Sequence, residues 1–150
     1  MSKITEIYDA IEATLASALP AYTKLPNAYS IEDNADIFLN KSYAIGIGGG
    51  SNTNRLIPSR VSISRSFEIA FINQLNATDH NSLAIEAQEK ALFEDAFLFL
   101  KQIELDTTLS GVAVRSQFES DEGLEFLDGE KQRYFMLTLA VSVEYIETLV

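Results

Sequence analysis

Four groups of residues in this chain have types and spacings that invite chemistry. The first is the glycine cluster Gly46, Gly48, Gly49 and Gly50, because backbone amides free of side chains can approach a phosphate closely. A phosphate loop also needs Lys followed by Ser or Thr, and here Ser51, Asn52, Thr53 and Asn54 follow instead. The dinucleotide fingerprint fails too, since no helix follows and Ser51 holds the last glycine position. The cluster is therefore expected to be a hairpin loop, flexible or ordered by assembly. The second group is the acidic run Glu119, Asp121, Glu122, Glu125, Asp128 and Glu130, which could offer oxygens to a hard cation. It lacks the alternating ligands and glycine placement of a calcium loop, and reads as a solvated hairpin tip.

The third group is the lone histidine, His80, which has no second histidine for a metal and no displayed partner for acid–base work. Asp79 and Asn81 beside it look like helix-capping residues. With one histidine and no nucleophile elbow, the serines form no Ser–His–Asp pattern. The fourth is the triplet Asn76, Ala77, Thr78, a glycosylation acceptor only in a secreted protein. No catalytic, cofactor-binding or metal-binding residue is expected, and no cofactor.

The elements that position these groups follow from periodicity. Ile4, Ile7, Tyr8, Ile11, Leu15, Ala18 and Leu19 recur at three and four, which predicts an amphipathic helix capped by Ser2 and ended before Pro20. Turn formers dominate residues 21–36, read as an irregular connection with one short strand. A strand pattern runs from Ile37 through Tyr43, Ile45 and Ile47 and breaks at the glycines. Val61, Ile63, Phe67, Ile69 and Phe71 then alternate with Ser62, Ser64, Ser66 and Glu68, a long half-buried strand.

Arg65 falls in register with that apolar set. Burial of an unpaired charge is costly, so it needs a carboxylate partner, a subunit boundary, or an edge from which it reaches water. A second helix is predicted over residues 82–103, with Ile85, Leu92, Ala96, Phe99 and Ile103 on one stripe and Phe93, Phe97 and Leu100 beside it. So wide an apolar arc asks for a second cover, either the first helix or a neighbouring subunit. Strands over about 112–118 and 134–146 form a C-terminal hairpin around the acidic turn. The fold class expected is α+β: an antiparallel sheet with two helices on one face, in the order helix, hairpin, helix, hairpin.

Composition bounds the rest. A chain of 150 residues, 47% hydrophobic and 22% charged, builds one domain with one core. No apolar stretch is long enough to span a membrane and no leader pattern opens the chain, so synthesis and folding in the cytosol are expected. There is no cysteine, and stability must come from packing. A net charge of −11 opposes a broad footprint on nucleic acid, yet would suit a passage through which DNA slides without sticking.

In size, element order and acidity, the helix at residues 4–19, the strand ending Arg65-Ser66-Phe67-Glu68-Ile69-Ala70-Phe71 and the last strand at 134–146 resemble the tail terminator proteins of long-tailed bacteriophages. That resemblance implies a homohexameric ring in the virion, assembled in the host cytoplasm. Such a ring caps the tail tube, stops its polymerisation and docks the head connector, with DNA only as passing cargo. It brings no catalytic residue. On this reading Arg65, Phe67, Phe71, Phe93 and Phe97 are candidate subunit-interface residues. Gly48, Gly49, Gly50, Arg55, Arg60, Asp121, Glu122 and Glu125 are candidate loop contacts with the tail tube protein or connector. Two other readings fit the same composition, a head-completion or connector adaptor and an acidic DNA-mimic inhibitor.

Overall fold

Alternation on two central strands organises the fold. The computed structural model describes residues 2–25, 41–57, 59–75, 82–128 and 133–149. Its elements are α1 (Lys3–Ala18), β1 (Thr23–Lys24), β2 (Ser42–Ile57), β3 (Arg60–Leu75), α2 (Ser82–Leu105), β4 (Arg115–Asp128) and β5 (Arg133–Thr148). The strands form one sheet in the order β1-β2-β3-β5-β4. All neighbours are antiparallel except β1, which runs parallel to β2, so the sheet is mixed and the expected purely antiparallel arrangement is corrected. The small β1 is a short strand within the connection expected at residues 21–36, and it adds a strand to the helix–hairpin order.

Phe67, Ile69 and Phe71 on β3 stand opposite Val141, Leu139 and Leu137 on β5, and all six point to one face and are buried. Both helices lie on that face. From α1 come Ile7, Ile11 and Leu15; from α2 come Leu92, Phe99 and Ile103, each fully buried and each contributing about 1.5–3 kcal/mol. Ser2 caps α1 by accepting from the Thr5 amide, and the helix ends before Pro20, as the spacing predicts. A second, smaller cluster of Leu25, Ala44, Ala70, Ile72 and Tyr134 is buried on the opposite face.

Two polar contacts tie β1 and its approach to the helices. The Tyr22 hydroxyl donates to Asp95 Oδ2 at 2.7 Å while its ring meets Phe71 edge-on at 6.2 Å. Burial first, and then the Asp95 carboxylate, push the Tyr22 phenol well above its ordinary range. Lys24 Nζ donates to Glu12 at 3.1 Å and lies over the Tyr8 ring.

The strand boundaries hold the main corrections. Residues 48–54 are not a loop; β2 runs through all four glycines to Ile57, with register shifts after Ile47, Asn52 and Arg55. Likewise β4 carries residues 119–128 as strand and not as a hairpin tip, and residues 112–114 lie in the connection before it. In that connection Leu109, Ser110 and Gly111 all adopt positive φ, held by Asp106, which accepts from the Ser110 amide at 2.8 Å and the Thr108 hydroxyl at 3.1 Å. The Ser110 amide, followed by the Thr108 hydroxyl, keeps the Asp106 carboxyl below its usual range. His80, the triplet 76–78 and the strand start at 37–40 lie outside the described residues, as does most of the connection expected at 21–36.

Two outcomes test this packing. A β-carbon at Gly48 would sit 2.8 Å from the Ser66 carbonyl oxygen, whereas one at Gly49 meets nothing within 4 Å. Gly48→Ala is therefore expected to cost about 1–3 kcal/mol in urea denaturation and Gly49→Ala to stay within about 0.5 kcal/mol. Because the folded state holds the Tyr22 phenol protonated, its contribution is complete below the unfolded value near 10 and is lost as pH rises beyond it. Urea midpoints followed from about pH 9 to about 11 should fall less steeply in Tyr22→Phe than in the parent.

Candidate functional site

The five interface candidates separate into three groups. Phe67 and Phe71 are completely buried in the core beneath the helices, so neither is available to a neighbour, and their place in an interface is corrected. Alternation predicts one apolar face, but only the helices above it decide that this face is interior.

Arg65 is partly buried and bonded within the chain. Its Nε donates to the Tyr145 hydroxyl at 3.1 Å and its Nη1 to the Gly48 carbonyl at 3.0 Å, with no carboxylate partner among the described residues. A β-carbon on Gly50 would lie 2.8 Å from the guanidinium carbon. Gly50 therefore makes room for Arg65 to lie across β2, and the cation is solvated by protein oxygen instead of an ion pair.

Phe93 and Phe97 remain. Phe93 is half-buried, while Phe97 is 61% exposed on the outer flank of α2. Together with Phe118 of β4 they line a groove of about 100 Å³ floored by Leu100, Leu137 and Leu139, with Asp121 at its rim. Phe118 is 42% exposed, and its ring faces the helix side because it pairs with Val141. Among the described residues neither α1 nor any other element lines this groove. An aromatic-walled, acid-rimmed groove of this size suits an apolar side chain from another protein.

The groove opens beside β4, the edge strand. Glu119, Ser120, Asp121 and Glu122 are all exposed there, and Glu125 as well. Gly123 at φ 73 makes a bulge in which its amide donates to Asp121 Oδ1 at 2.9 Å. Charges and bulges of this kind discourage indiscriminate pairing at an open edge. Gly49 and Gly50 are exposed on β2, and Arg60 is exposed at the start of β3. The Arg55 side chain and Glu130 lie outside the described residues. Phe118 was legible in the sequence only as part of a strand; the acids that follow it were the one hint that it faces solvent.

On the face away from the helices, the strands β3, β5 and β4 carry a hydroxyl ladder. Ser64 bonds Ser142 at 3.1 Å, Ser62 donates to Glu144, and Ser66 donates to Glu119 at 3.0 Å. Arg115 approaches Glu144 at 3.8 Å. Among the described residues no group of three or more side chains is arranged to hold a metal ion, and no helix is long and apolar enough to cross a membrane.

The split between buried and exposed phenylalanines has a measurable consequence. Phe67→Ala should cost about 3–5 kcal/mol in chemical denaturation, through lost burial and the cavity left behind. Phe97→Ser should change the stability of the isolated chain by no more than about 0.5 kcal/mol. A scan of the chain against protein-family models gives no match, and a search of curated proteins gives none either.

Proposed function

We propose that this protein is a structural ring subunit at the head end of a phage tail, which caps the tail tube, ends its polymerisation and joins it to the head connector. It acts by binding and shape, and not by catalysis. The observation that carries the reading is the uncovered groove of Phe93, Phe97 and Phe118 beside an acidic open edge. Exposed aromatics clustered in a groove mark association surfaces, and rimming charges set orientation more than affinity.

The hydroxyl ladder supports the passage of DNA. Ser64, Ser66 and Ser142, with Glu68, Glu119 and Glu144, give a face whose arginines, Arg60 and Arg115, gather at one end, Arg115 beside Glu144. A wall with few cations and several carboxylates offers phosphate little to hold.

The test combines solution mass with tube growth. The purified protein is expected to form a ring and, mixed with tail tube protein, to shorten the tubes seen by electron microscopy. Phe97→Asp should leave the fold intact and remove both effects. Unaltered tube lengths at saturating protein would refute the reading.

A further inference from the structure

Among the described residues the sheet has two open margins, one acidic and one free of acidic residues. On one side β4 carries five acidic residues against one arginine. On the other, β2 contains no Asp or Glu, in a chain whose net charge is −11. Among the described residues the short β1 covers β2 at Ser42 and Tyr43 alone, and Ile47, Gly49, Gly50, Ser51 and Asn52 are exposed.

Tracing one row across the sheet links these margins. Ile47 pairs with Phe67, Phe67 with Val141, and Val141 with Phe118. Phe118 and Ile47 therefore stand at the same level and on the same face, at opposite ends of the row, and both are exposed, at 42% and 50%. Direction also agrees. Three successive antiparallel steps make β4 antiparallel to β2 within one sheet. Rotation about an axis along the strands preserves that relation, so β4 of one copy meets β2 of the next antiparallel.

We propose that copies of this chain join head to tail through their sheets, β4 of one copy adding to the open edge of β2 of the next, with Phe118 set against Ile47. This rests on the self-assembly reading above and names its contact. The Ile47 side chain of the incoming copy fills the mouth of the aromatic groove. The backbone groups of both edges are satisfied by ladder bonds. The carboxylates on β4 repel a second β4 edge but not the acid-free β2 edge, so the same charges that prevent random pairing select this one. Each copy uses two different patches, the geometry that closes into a ring.

Two variants test it, Phe118→Lys and Ile47→Glu, both at exposed positions, with folding checked by circular dichroism. In sedimentation, each alone should self-associate at least about tenfold more weakly than the parent. An equal mixture should recover association, because the introduced lysine of one variant then meets the introduced glutamate of the other, while the native pair forms at the alternate joint.

A second measurement needs no change of charge. The chain has no cysteine, and Phe118 and Ile47 within one copy are three strand spacings apart, about 14 Å, too far for a disulfide. The double variant Phe118→Cys, Ile47→Cys should therefore give a ladder of covalent oligomers on oxidation.

A parent that is monomeric at all concentrations, variants that associate as the parent does, or a double-cysteine chain that never cross-links would each overturn the edge pairing. If the parent forms rings that these variants leave unaltered, edge pairing fails while the ring reading stands. If the variants behave as expected but tube growth is indifferent to the protein, edge pairing stands and the tail reading fails.

Discussion

The structure depends on one constraint, the period of two on β3 and β5. Paired in register over their whole length, these strands turn Phe67, Ile69 and Phe71 and their β5 partners to a single side, where an apolar wall needs a cover. Both helices follow from that need. A helix of sixteen residues is about 24 Å long and a strand of sixteen about 53 Å, so α1 shields only part of the wall. The longer α2 carries more of it, and its flank is left open where β4 ends the sheet.

Arg65 interrupts the wall, which continues beyond it in Ile63 and Tyr145. Its position in the apolar alternation places a guanidinium at the margin of the core, where desolvation without partners would be costly. The Tyr145 hydroxyl and the Gly48 carbonyl supply those partners, and Gly50 lacks the β-carbon that would block the approach. The glycine run thus reflects a cross-strand packing demand. Local propensity reads glycines as a turn because it contains no information about the side chain on the adjacent strand.

The candidate site arises from the same geometry. A sheet with a serine-rich face, a helix-covered face, one acidic margin and one acid-free margin has few ways to satisfy all its surfaces alone. The aromatic groove lies where the covered face meets the acidic margin, so apolar area, ladder groups and charge coincide at one place. The proposed head-to-tail contact would satisfy all three together.

Much was already determined by the sequence. Helical spacing located both helices and the buried stripe Leu92, Ala96, Phe99 and Ile103, and alternation located β3 and β5, because these signals are local and strong. The Ser2 cap and the stop before Pro20 are local as well. Only the tertiary structure decided which aromatics are interior. Phe71 and Phe97 are the same residue type in equally apolar patterns, and what separates them is whether another element lies above. Only the tertiary structure turned the glycine run and the acidic run into strands, because ladder partners on the adjoining hairpin strand outweigh the turn preference of each residue. For the same reason, the row joining Ile47 to Phe118 exists only once four strands are in register, a relation between distant segments that no local pattern contains.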